Sequence, residues 1–295
     1  MADGQSMRKL TKGDRVRHIG KPEWGMAEVL QDEDGDDLHL FFEFVYEKRL
    51  VASARDKLVL LQGDATHSTR LDHLHLSQPG KSRPMVTIEQ AKSRLLELFP
   101  GGLHGPRMQE EERAYKDKLI ERARALFSPN DLTECLQDGA YDEILVRARQ
   151  FIAEKLNNFP ATFEKIAFRN GVARCTRRPE FARALCAWIL PASPDQSAFE
   201  VFASELDHIG CAKWPVATIF RFMLHPLSDV LIKPENLQNA AEFARFEINY
   251  QPHLNWKTYA SVMAFYEFVK GRISDLAPRD MVDVQNFIWC IQEHH

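Results

Sequence analysis

Chemistry in this chain would have to come from three small constellations. The densest basic cluster is Arg169, Arg174, Arg177, Arg178 and Arg183. Guanidinium groups spaced this closely suit contact with a phosphate backbone. They equally suit a solvated loop and helix start, salt-bridged to Glu180. A second group sets His208 and Cys211 beside Glu205 and Asp207, a mixture that could supply a nucleophile and its base. Gly210 is expected to end the helix between them, and no residue is evident to orient the imidazole, so packing and a helix-terminus cation are the expected roles. In the third, Asp280 and Asp283 stand three apart on one face of a helix start, as a metal pair or a general acid and base would require. Complementing the helix dipole and pairing with Arg279 or Arg272 would account for them as well.

The familiar catalytic patterns are missing. There is no glycine-rich phosphate loop, zinc-type Cys/His spacing, nucleophile elbow or His-Glu-x-x-His run. Glu164-Lys165, the nearest approach to a nuclease Glu-x-Lys, falls on an expected helix. His67, His73 and His75 lack both i, i+4 pairing and a thiolate partner, so solvated linker histidines are expected. Cys135, Cys175, Cys186, Cys211 and Cys290 are odd in number, scattered and mostly flanked by apolar residues, which suits buried free thiols. No catalytic residue, metal or cofactor is assigned.

At 295 residues the chain is about two domains long. Hydrophobic residues are 44% and charged residues 27%, ordinary for globular protein, so neither disorder nor a fibrous repeat is indicated. A net charge of -4 and pI near 6.3 argue against a generic basic binder that wraps nucleic acid, while leaving room for a local basic face. No apolar run approaches the roughly 18 residues of a membrane helix, and the polar start Met1 to Lys12 lacks a signal-peptide apolar region. The cytoplasm is the expected location, without membrane partners.

The elements that must position these residues fall into two kinds. From Lys12 to Leu61, Val16, Trp24, Met26, Val29 and Leu30 lie among Gly13, Gly20, Pro22 and Gly25, a density that suits short strands and tight turns. Asp32-Glu33-Asp34-Gly35-Asp36-Asp37 reads as a hairpin tip. Beyond it Leu38, Leu40, Phe42 and Phe44 recur at period two, the inner face of a strand. Lys48-Arg49 reads as a further turn, and Leu50-Val51 and Leu58 to Leu61 as the last strands. Four or five short strands would close naturally as a small β-barrel or curled sheet, which limits exposed edges.

Gly13-Asp14-Arg15-Val16-Arg17-His18, followed by Pro22-Glu23-Trp24-Gly25 and Val29, resembles the small SH3/Tudor-like module found in bacteria as a short domain and at the tail of UvrD-type helicases. A looser similarity runs to the RNA-polymerase-interaction domains of CarD and transcription-repair coupling factor. The resemblance covers the N-terminal ~50 residues and implies protein docking, often onto RNA polymerase, rather than catalysis. The long acidic turn and the aromatic-rich strand Phe41 to Tyr46 depart from the pattern. Arg15, Arg17, Lys21, Glu23 and Trp24 are the candidate partner-binding face, with Trp24 equally suited to plug the barrel core.

Gln62 to Pro84 reads as a partly packed linker. Thr87-Ile88-Glu89-Gln90 has the form of a capping box, and helical periodicity then runs almost to the end, broken by prolines. Phe163, Ile166, Ala167 and Phe168 are expected to face a core from a helix ended by Asn170-Gly171. The aromatic-rich last third, from Trp214 through Tyr259 and Phe265 to Trp289, has helical spacing and reads as core, or, if exposed, as stacking platforms for bases.

The expected architecture is thus α+β: an SH3/Tudor-like β-barrel over residues 1–65, a linker over 66–86 and an all-helical domain over 87–295. The expected function is a non-enzymatic accessory factor that docks onto transcription or DNA-repair machinery, with RNA polymerase or a helicase as protein partner. The helical domain would bind a second protein or nucleic acid, the latter through Arg169, Arg174, Arg177, Arg178 and Arg183. A DNA-acting enzyme with its site in the helical domain and a protein-only scaffold, for example in phage defence, are the alternatives.

Overall fold

Leu38, Leu40 and Phe42 alternate with His39 and Phe41, and this period of two builds an inner strand of a five-stranded antiparallel sheet. The protein is described here by a computed structural model covering residues 8–34, 37–76 and 85–291. It divides into two compact units, Met1–Leu74 and His75–His295.

In the first unit the strands are β1 (Arg15–His18), β2 (Met26–Val29), β3 (Asp37–Phe42), β4 (Tyr46–Val51) and β5 (Leu58–Leu60). Their order is β4-β3-β2-β1-β5. Val16, Ala27, Val29, Leu38, Leu40, Phe42 and Leu58 form the core, and Trp24 packs against it. The expected barrel does not close. The edges β4 and β5 have no shared ladder, because the 3₁₀ segment Ala52–Lys57 stands between them in the chain and β5 is only three residues long. Lys48 and Arg49, expected in a turn, lie inside β4, paired with Leu40 and His39. With Glu47 they put charge on that edge, which discourages pairing with another chain.

Strand β3 ends at Phe42, and the hairpin turns at Glu43 to Val45. Gly25 is needed beside that turn: its φ is 78°, and a Cβ there would lie 2.6 Å from Glu43 Oε2. Glu43 Oε2 accepts from the Met26 amide at 2.8 Å, and its Oε1 accepts from Ser68 Oγ. The acidic run does not only mark a hairpin tip. Asp32 and Glu33 accept from the amides of Lys12 and Leu10 at 2.8 and 2.9 Å, while Gly35 and Asp36 lie outside the described residues. Chain expected as linker from residue 66 carries a short helix, α1 (Thr69–Asp72), capped by Ser68 with Leu71 buried.

The second unit is helical among its described residues. Its helices are α2 (Ile88–Leu98), α3 (Pro106–Met108), α4 (Ala114–Leu126), α5 (Pro129–Gln137), α6 (Tyr141–Ala153), α7 (Thr162–Ala173) and α8 (Arg178–Ile189). There follow α9 (Gln196–His208), α10 (Trp214–Leu224), α11 (Pro234–Phe243), α12 (Trp256–Arg272) and α13 (Met281–Ile291). The Thr87/Gln90 capping box opens α2, with bonds of 2.8 and 3.1 Å. A π turn, Gln109–Arg113, joins α3 to α4 without a break.

Helix α10 is buried from Trp214 to Met223, as a sequence apolar on all sides but for Thr218 and Arg221 demands. Its Phe220 meets Phe127, Phe151, Phe168 and Phe202 at ring distances of 5.5–6.3 Å. Arg221, fully buried on the same helix, is satisfied by Asp229 at 2.7 and 2.9 Å and by the carbonyls of Trp188, Pro191 and Ala192.

Two expectations for α7 are corrected. Phe163 and Ile166 are exposed, since only the Phe168 side of that helix meets the core. Gly171 lies within α7 rather than ending it. Among the described residues no helix is long and apolar enough to cross a membrane.

Candidate functional site

The partner-face residues of the first unit separate into three situations. Arg15 is tied down inside the unit, 3.0 Å from both Glu28 and Asp72, with the Thr66 carbonyl at 3.3 Å. Burial raises the Glu28 carboxyl and the Arg15 charge opposes this. Trp24 is half-buried, its ring 5.2 Å from His18 and edge-on to Phe42 at 5.1 Å. Arg17, Lys21 and Glu23 face solvent, the last two 3.6 Å apart. Strand alternation that buries Val16 turns Arg17 outward beside Val59 of β5, and Val59 and Ile19 are both exposed.

Of the arginine cluster, the fold brings only Arg174 and Arg177 together. They line a cleft of about 360 Å³ with Thr176 and His208, where the C-terminal ends of α7 and α9 meet the start of α8. Gly171 makes the meeting possible, because a Cβ there would lie 2.3 Å from the Ile209 carbonyl oxygen. Arg177 does not pair with Glu180. It forks onto the buried carboxylate of Glu205, Nη2 at 2.7 Å and Nε at 3.4 Å. Its Nη1 makes no hydrogen bond among the described residues.

The other three arginines are dispersed. Arg178 bonds Asp142 and the Cys175 carbonyl, and Arg183 lies over the Tyr141 ring at 4.8 Å and donates to its hydroxyl. Arg169 is exposed on α7. A cluster dense in sequence is therefore split between helix faces.

His208 and Cys211 part ways at Gly210. His208 is exposed and bonds the Ser204 carbonyl at 2.7 Å, whereas Cys211 is fully buried, its thiol pushed up to about 12 by burial and then by Glu164. Asp280 and Asp283 are buried and share the guanidinium of Arg113, at 2.7 and 3.0 Å, and Arg279 adds three further bonds to Asp283, one from its backbone amide and two from its side chain. Among the described residues no group of three or more His, Cys, Asp and Glu could hold a metal ion.

A second concavity went unread in the sequence. It encloses about 190 Å³ between the π turn, α4, the Asn158-Phe159 loop, the start of α11 and α13. Lys116 forms its floor, almost fully buried, with Nζ donating to Glu112 at 3.0 Å, to Asn286 Oδ1 and to Gln285 Oε1 at 3.4 Å. Burial lowers its pKa, and Glu112 opposes that shift. Lys116 falls on the apolar stripe of α4 beside Leu119 and Ile120, and a charged residue on such a stripe was the available signal.

Comparison with family models, curated proteins and solved structures found no match to this chain.

Proposed function

We propose that this chain is a non-enzymatic accessory factor with two working surfaces. The N-terminal sheet, which resembles the SH3/Tudor-like docking modules, takes it to a protein of the transcription or DNA-repair machinery such as RNA polymerase or a helicase. The helical unit then touches nucleic-acid phosphate through Arg174, Thr176, Arg177 and His208. The observation that carries the proposal is the cleft in which these four converge. Arg177 is braced on Glu205 and keeps one free guanidinium edge, so it is held in place for a phosphate oxygen.

On the sheet, Arg17, Ile19 and Val59 combine charge with exposed apolar surface, the mixture that protein interfaces use.

Salt-dependent binding of labelled DNA to the full chain tests the helical half. Binding that weakens as salt rises, and is lost in Arg174→Glu with Arg177→Glu, supports it. No binding at low salt favours a protein-only scaffold. Affinity capture with the full chain tests the docking half: failure to recover RNA polymerase, a helicase or any DNA-associated protein, or recovery indifferent to Arg17→Glu, sinks it.

A further inference from the structure

The Lys116 concavity has a built polarity. A lysine can only donate, so the Gln285 and Asn286 atoms it touches are the carboxamide oxygens. The amide nitrogen of Asn286 lies 3.7 Å from the Met108 sulfur. That of Gln285 has no partner among the described residues, and the side chain is only half-buried, so its N–H donors are available to an occupant. Asn158 and Asn236 line the same space and likewise make no side-chain hydrogen bond among the described residues. Each offers a donor and an acceptor in one plane.

The charges narrow the ligand further. Glu112 is engaged by Lys116, which leaves no free carboxylate in the lining to receive an ammonium group. Lys233 lines the rim with no ion pair among the described residues, at the start of α11, where the helix end adds positive partial charge. Phe99, Tyr115, Phe159 and Trp289 supply flat apolar walls, and Trp289, 36% exposed, is the most accessible of these. At about 190 Å³ the space is below the roughly 300–1,000 Å³ of pockets that enclose drug-sized ligands. It suits a small planar group.

We propose that this pocket binds a nucleotide: the base stacks against Trp289 and is read by the carboxamides of Gln285, Asn236 and Asn158, while Lys233 meets the phosphate. Planar donor–acceptor edges on an aromatic platform are how proteins hold an unstacked base. An amino acid would need a free anion that the lining lacks. Lys116 is a positioning residue, fixing which way Gln285 and Asn286 point. The pocket shares no lining residue with the arginine cleft, so the two sites stand or fall separately.

The test is calorimetric titration of the full chain with nucleoside 5′-monophosphates and the matching uncharged nucleosides, beside a single-stranded oligonucleotide. At least one nucleotide is expected to bind with Kd below about 1 mM. Gln285→Glu keeps the oxygen facing Lys116 and exchanges the outward donor for an acceptor. It should weaken nucleotide and nucleoside alike by roughly 3- to 10-fold. Lys233→Ala should weaken the nucleotide by about 10-fold and leave the nucleoside within about 2-fold. Arg174→Glu should leave mononucleotide binding unchanged. Binding only of the oligonucleotide, with loss in both Gln285→Glu and Lys233→Ala, upholds the same chemistry with the base presented by a strand. Absence of binding in every arm up to about 5 mM, or binding indifferent to both pocket substitutions, overturns the proposal.

Discussion

The guanidinium of Arg113 reaches Asp280 through two bonds of 2.7 Å and Asp283 through a third of 3.0 Å, with all three side chains buried. The bonds tie the π turn to α13 across most of the helical unit's length in sequence. Removing the cation leaves the buried Asp280 carboxylate without its counter-ion and Asp283 with Arg279 alone, and replacing Arg113 by Met should cost about 3–5 kcal/mol. Urea unfolding of the full chain measures it, and a loss under about 1 kcal/mol would mean the carboxylates find other partners.

Acid should attack the same joint. Burial alone would raise the Asp283 carboxyl, but hydrogen bonds from Arg279 and the charge of Arg113 bring it below the ordinary 3.8. A carboxyl depressed in the folded state contributes stability above its unfolded pKa, and that contribution is lost as pH falls through the lower folded value. Wild type should therefore exceed Asp283→Asn in stability at pH 7, with the gap closing below about pH 3.8. Denaturation midpoints of the two at pH 7 and pH 3 check the trend; a gap that widens in acid contradicts it.

Gly171 should tolerate no side chain. Its missing Cβ would sit 2.3 Å from a backbone oxygen of Ile209, which cannot rotate away. Gly171→Ala should lower stability by about 1–3 kcal/mol. It should also weaken any anion binding at the arginine cleft, because Ile209 adjoins His208. Thermal melting and DNA titration of one variant read both effects.

Replacing Trp24 by Ala should destabilise the first unit, since its ring packs on His18 and Phe42. Being half-buried, it should cost about 2 kcal/mol, short of the 3–5 of a fully enclosed aromatic. Unchanged melting with lost partner capture would instead make Trp24 a contact residue.

Thiol labelling should divide the cysteines. Cys186, Cys211 and Cys290 are buried, and burial pushes each thiol up to about 12, so at neutral pH they should react only on unfolding. Cys135 is only partly buried and should label first. Mass spectrometry after brief exposure to a maleimide distinguishes the two classes.

Local periodicity carried much of the architecture. Leu38, Leu40 and Phe42 declare the inner face of a strand, although Phe41 opposite them is buried too and Phe44, expected on the same face, lies exposed in the turn; Trp214 to Leu224 occupy one helix with the bounds that Pro215 and Pro226 suggest. What escaped depends on distant neighbours. Phe163 and Ile166 have the spacing of core residues, but spacing defines a face without supplying anything to cover it. Barrel closure turns on whether β4 and β5 meet, which their residues do not encode. Lys116 can be buried because the Asn286 carboxamide oxygen, far along the chain, accepts its hydrogen bond. The arginine cluster was visible as composition, while its partition into Arg174 with Arg177 and three dispersed residues depended on helix orientation.

The π turn at Gln109–Arg113 has a consequence for how the chain can change over time. A surplus residue in a helix rotates all that precedes it by about 100° relative to all that follows. Met108 on one side and Lys116 on the other both line the same pocket, and Arg113 between them clasps α13. Deleting any one residue here would restore an ordinary helix and swing one set of side chains out of alignment with the other. Exposed Glu110, and Glu111 with only its surface pair to Arg107, should tolerate substitution, whereas inserting or deleting one residue in the stretch should not be tolerated.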